Sequence, residues 1–152
     1  VDSADERRDL AAMMYPLVRA LIGVETPVLA VHGVSMWGYS VLSTLRSLGP
    51  MRTQAALAEA IGADKTRIIG TLDELQEAGL LSRTPDPDDR RVRLLSLTDR
   101  GQRVERAIRA GIREREERLL ATLPAADRRG FVRALEALSS LPAAEIEEIA
   151  EG

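Results

Sequence analysis

Apolar residues return every three or four positions near the N-terminus, at Leu10, Met13, Met14, Leu17, Val18, Leu21 and Ile22, and this spacing predicts a long helix from Asp5 to about His32. Pro16 and Pro27 lie inside it. A proline removes a backbone donor and crowds the preceding turn, so a kink or break is expected, most of all at Pro27, where Gly23 and Thr26 also weaken the helix. From Ser35 a second helix carries Trp37, Val41, Leu42, Leu45 and Leu48 on one face and stops at Gly49-Pro50. Thr53 can cap a short helix through Leu57, Ala58 and Ile61 that ends at Gly62, and Asp64 can cap the next one. So brief a turn makes the two helices cross steeply, as in a helix-turn-helix. The second of the pair, Lys65 to Ala78, turns Ile68, Leu72 and Leu75 inward and sets Thr66, Arg67, Gly70, Asp73 and Glu77 on the opposite side.

The period then changes. Leu81 to Thr84, a turn at 85–89 and the alternating run Arg91 to Leu97 predict a two-stranded hairpin, which needs the preceding helix to pack against and so reads as a wing. Its tip shows Arg90 and Arg91 beside Asp86, Asp88 and Asp89, an arrangement in which a carboxylate can hold one arginine while its neighbour projects. Thr98 caps a long helix to about Leu123, with Val104, Ile108, Ile112, Leu119 and Leu123 on a narrow apolar line suited to pairing with other helices. After Pro124 a last helix carries Phe131, Val132, Leu135, Leu138 and Leu141. From Ala143 the sequence reads as a short, frayed acidic tail. The fold class is therefore mainly α with a small β-hairpin wing: a winged helix-turn-helix flanked by long terminal helices. One domain is expected over 1–152, with a DNA-binding lobe at about 36–98, a dimerisation lobe from about 5–32 plus 99–141, and the tail at 142–152.

Composition narrows the chemistry. With no cysteine and one histidine among 152 residues, a cysteine zinc site, a thiol nucleophile and thiol redox sensing are excluded, and no cofactor or metal is expected. No nucleophile has a neighbouring base and no phosphate loop is present, so an enzyme is not expected. No run of about 18 to 20 consecutive apolar residues stands out and no signal peptide precedes the first helix, which reads as a cytoplasmic protein without a membrane partner. The net charge is −3, so DNA binding has to rest on local arrangement. On the outer face of the second short helix, Asp73, Glu74 and Glu77 would repel phosphate, and docking would use the helix N-terminus. Gly70 costs about 1 kcal/mol relative to alanine inside a helix, which signals either close approach to DNA or close packing within the protein.

From Leu48 to Gly101 the sequence resembles the DNA-binding core of the MarR (multiple antibiotic resistance regulator) family of bacterial repressors. The likeness is strongest in the helix pair, in LDELQEAGLLSR from Leu72 to Arg83, and in DPDDRR followed by LSLTDRG from Asp86 to Gly101. The resemblance implies a homodimer bound to double-stranded DNA at a pseudo-palindromic operator, with a recognition helix in each major groove and a wing at the adjacent minor groove. By position it implies DNA contact for Asp64, Lys65, Thr66, Arg67 and Gly70 in the recognition helix, and for Asp89, Arg90 and Arg91 in the wing. Many relatives have a basic residue where this chain has Gly70, a role Arg67 can take over one turn earlier. The resemblance also implies a crevice for a small aromatic effector near the junction of the first two helices, where Tyr15, His32, Trp37 and Tyr39 fall. The expected function is a sequence-specific transcriptional regulator, a repressor released by a small-molecule ligand. The alternative is a winged-helix protein-interaction module, suited to a basic partner by the acidic half of the recognition helix.

Overall fold

The computed structural model describes residues 7–151. The described chain forms two compact units, one reaching Arg113 and the other starting at Glu114.

In the first unit, α1 runs from Leu10 to Val31 and continues through both prolines, so the break expected at Pro27 is absent. The reason is exposure. Pro16 and Pro27, and the residues whose carbonyls they leave without a donor, Ala12 and Gly23, all face solvent, where water can take the missing bond. The turn comes instead at Gly33, with φ of +64°. The expected start at Asp5 lies outside the described residues. Only Val28 and Leu29 of this helix are buried, while Leu10, Met14, Val18 and Ile22 remain exposed. By length and composition α1 is long and apolar enough to cross a membrane, although Arg19 and Glu25 interrupt its apolar run.

Side-chain caps start the next three helices. Ser35 accepts from the Gly38 N–H at 3.0 Å to begin α2 (Met36–Leu48), and Thr53 accepts from Ala56 at 3.0 Å to begin α3 (Gln54–Ile61). Asp64 accepts from Arg67 at 2.9 Å to begin α4 (Lys65–Glu77). Gly62, at φ +67°, turns the chain between α3 and α4. Strand β1 (Leu81–Pro85) pairs antiparallel with β2 (Arg93–Leu97), Leu81 opposite Leu97 and Pro85 opposite Arg93. The second strand starts two residues later than expected because the tip is a longer turn: the Asp86 N–H donates to the Val92 carbonyl at 2.8 Å, and Val92 donates back to Asp89 at 2.9 Å. Met51 adds a bridge on the free edge of β2, exchanging both backbone bonds with Leu95 at 2.9 and 2.8 Å. Val41, Leu42, Leu57, Ile68, Leu72, Leu81, Leu95 and Ile108 form an aliphatic core beneath these elements.

Helix α5 spans Asp99–Leu120 and enters that core through Ile108 and Ile112. The Thr98 hydroxyl donates to the Gly79 carbonyl at 2.6 Å and accepts from the Gly101 N–H at 2.9 Å, tying the start of α5 to the end of α4. The second unit holds the end of α5, then α6 (Ala125–Ser139) and α7 (Ala143–Glu151). The tail expected to fray is helical, since Ala and Glu are strong helix formers and the Pro142 carbonyl receives the N–H groups of Glu145 and Ile146. Neither α6 nor α7 has a buried residue, and Phe131, Leu135, Leu138, Ile146 and Ile149 are exposed.

Candidate nucleic-acid interface

At 100° per residue, the buried Ile68, Thr71, Leu72 and Leu75 centre one face of α4, and Thr66, Gly70, Asp73 and Glu77 lie across from them. Arg67 falls at about a right angle to the core, on a flank. Its guanidinium lies over the Trp37 ring, 5.4 Å from the centroid, and 3.9 Å from the Asp64 carboxylate. On the other flank, Arg83 of β1 pairs with Asp73 at 3.1 Å and also donates to the Gln76 side chain. The recognition helix is thus held from α2 on one side and from the wing strand on the other. Lys65, Thr66, Arg67 and Gly70 are all exposed. The Asp64 carboxylate is engaged as the helix cap.

Gly70 decides between its two readings. A Cβ built there meets nothing within 4 Å, so no internal packing requires the glycine.

At the wing, Asp86 is buried. It accepts from the Asp88 N–H at 2.9 Å and pairs with Arg52 at 3.1 Å, which fixes the base of the turn to the residue before the α3 cap. Asp89 takes both the backbone N–H and the guanidinium of Arg91, each at 3.1 Å, and these bonds hold its carboxyl below the ordinary 3.8. Arg90 is exposed, with no ion pair among the described residues. Sequence reasoning missed Arg52, because its partner Asp86 lies 34 positions away with no local signal.

It also missed Glu105. This carboxylate is fully buried, 2.8 Å from Arg46 and 3.5 Å from Arg109, and its Oε2 has no hydrogen-bond partner. Its spacing from Ile108 and Ile112 places it on the apolar face of α5, the one available clue. Burial raises the Tyr39 phenol above its ordinary 10.0, the Glu105 charge adds to this, and a hydrogen bond with Ser43 opposes it. Beside Glu105 opens a cavity of about 390 Å³ walled by Leu45, Leu97 and Pro50 and lined by Arg46, Arg106 and Arg109. The four aromatic and histidine side chains expected at an effector crevice have different surroundings. His32 caps the end of α1 and Trp37 lies under Arg67, while Tyr39 is electrostatically coupled to Glu105. Tyr15 stands 66% exposed, about 24 Å along the axis from the end of α1, with Arg19 over its ring.

Residues 34–92 match the MarR family model. The chain is similar to the MarR family protein Rv2887 of Mycobacterium tuberculosis in complex with DNA, at 26% identity and a TM-score of 0.74 over 88% of this chain and 100% of that one. The same protein in complex with p-aminosalicylic acid matches at 26% identity and a TM-score of 0.72, over 88% of this chain and 100% of that one. CouR from Rhodococcus jostii RHA1, bound to p-coumaroyl-CoA, matches at 26% identity and a TM-score of 0.73, over 88% of this chain and 94% of that one. The winged segment, residues 34–92, is thus MarR-like, and the fold is shared with solved MarR family winged-helix proteins along most of the chain's length.

Proposed function

We propose that the chain is a repressor that binds a pseudo-palindromic operator as a homodimer and is released by a small ligand. The observation that carries the DNA reading is the open first half of α4, where Lys65, Thr66, Arg67 and Gly70 are exposed beside a wing whose Arg90 has no partner among the described residues. In this reading the α4 N-terminus enters the major groove, Asp64 contributes as its cap, and Asp89 presents Arg91 alongside Arg90 to the minor groove. The exposed apolar faces of α1 and α6 are covered by the second copy rather than by lipid, and the dimer works in the cytoplasm, where the DNA is. Gel-shift titration against the region upstream of its own gene tests this. Affinity falling steeply with salt, and a sedimenting species of about 33 kDa, twice 16.6 kDa, are expected; a monomer without preference for that DNA overturns it.

The ligand half of the proposal has its own observation. The arginines around the 390 Å³ cavity outnumber the single Glu105 charge, which suits an anionic ligand, and solved relatives hold p-aminosalicylic acid and p-coumaroyl-CoA. Tyr39 and His32 remain proposed contributors from α2 and the end of α1, and Tyr15 one from the second copy. Aromatic acids at millimolar concentration are expected to weaken operator binding in the parent and not in Arg106→Ala.

A further inference from the structure

Arg67 is a recognition-helix arginine whose guanidinium already has a partner before any DNA is present, the Trp37 ring at 5.4 Å. That separation is within the reach of a cation–π contact. The platform under it is itself fixed. Trp37 lies in the first turn of α2, which Ser35 caps, and the next residue, Gly38, packs so closely that a Cβ there would stand 3.1 Å from Val34, 3.2 Å from Ser35 and 3.4 Å from Leu75 of α4. The turn of α2 that carries the indole is therefore packed against the recognition helix.

A contact with a ring spends none of the guanidinium's N–H donors on a carboxylate or carbonyl, so they stay available. Asp64, at 3.9 Å, attracts Arg67 from too far away for a hydrogen bond and so does not consume one of those donors. The side chain is still 52% exposed. We infer that Trp37 is a positioning residue that orients Arg67 to present its N–H edge to a base, and so helps set operator specificity. The matching partner is the O6 and N7 edge of a guanine, which accepts a planar fork. A phosphate accepts an arginine from many directions, whereas a base edge accepts it from few, so pre-orientation favours operator over random DNA. This role uses one face of the indole, and it assigns Trp37 to the DNA interface rather than to an effector crevice.

The inference rests on the DNA-binding reading, and its test separates the two. In the DNA-free protein the single tryptophan reports the contact, and Arg67→Ala is expected to shift its emission; unchanged emission overturns the contact itself. On DNA, Trp37→Leu is expected to lose about tenfold in operator affinity, about 1.4 kcal/mol, while its affinity for random duplex stays that of the parent. Trp37→Phe, which keeps an aromatic face, is expected to retain most of the operator affinity and covers the case in which the leucine variant fails to fold. The double variant with Arg67→Ala is expected to bind no worse than Arg67→Ala alone. Parent-like operator binding by Trp37→Leu, equal losses on operator and random DNA, or additive losses in the double variant each overturn the inference. A parent protein that binds no duplex overturns the DNA reading instead.

Discussion

Gly101, in the first turn of α5, lies so close to the Leu80 backbone that a Cβ on it would stand 1.9 Å from the Leu80 carbonyl oxygen and 2.9 Å from its carbon. Both neighbours are backbone, held by the Thr98 bonds to Gly79 and Leu80, so neither can swing aside. Gly101→Ala is therefore expected to destabilise by at least about 3 kcal/mol, since α5 has to lift off the end of α4. Chemical denaturation followed by circular dichroism measures this, and a loss below about 1 kcal/mol would show that the junction is softer than its geometry.

The buried Glu105 gives a second expectation. Arg46→Ala removes its shorter ion pair and leaves a carboxylate with Arg109 at 3.5 Å and an orphan Oε2. Breaking a buried pair typically costs about 3–5 kcal/mol, and the surviving arginine brings the expectation down to roughly 2–3 kcal/mol. Glu105→Gln, which can still accept from Arg46, is expected to cost less in the same denaturation experiment.

Which parts of this were legible in the sequence follows from the range of the forces involved. The caps at Thr53 and Asp64, the start of the second helix at Ser35 and the apolar spacing of α2 to α4 are local, and each appears in the structure within a residue or two of its expected place. Pro27 misled because its effect depends on whether the lost bond faces protein or water, which is set by tertiary packing. Arg52 with Asp86 and Trp37 with Arg67 join residues about 30 positions apart, and no periodicity encodes such pairs. Tyr15, His32, Trp37 and Tyr39 were grouped by their place near the α1–α2 junction, yet successive helical positions point about 100° apart, so place along the chain does not say which of them face one cavity.

Tyr39 predicts an alkaline limit. Its folded pKa is raised above 10.0, so the stability linked to its neutral phenol is fully present below pH 10 and is lost as pH rises from there through the folded value. Melting temperature is expected to fall above pH 10 in the parent and to fall less steeply in Tyr39→Phe. Identical slopes in the two proteins would show that Tyr39 ionises as freely folded as unfolded.

The wing arginines are expected to matter for DNA and not for folding. Arg91 is 91% exposed even while paired with Asp89, and exposed pairs contribute little to stability. Arg90→Ala and Arg91→Ala are each expected to weaken operator binding while shifting stability by no more than about 0.5 kcal/mol. A large loss of stability in either variant would make that arginine a structural tie of the wing.

Gly70 offers the cleanest separation of stability from function. It sits in the middle of an exposed helical face with open space where its Cβ would be, so alanine relieves the unfolded-state entropy of glycine without meeting any protein atom. Gly70→Ala is expected to stabilise the free protein by about 0.5–1 kcal/mol, raising its melting temperature by a few degrees. The same methyl group projects from the face proposed to enter the major groove. Operator affinity is therefore expected to fall by about tenfold as the backbone is kept from its closest approach. A variant that is both more stable and equally tight on DNA would show that this turn of α4 stays clear of the groove.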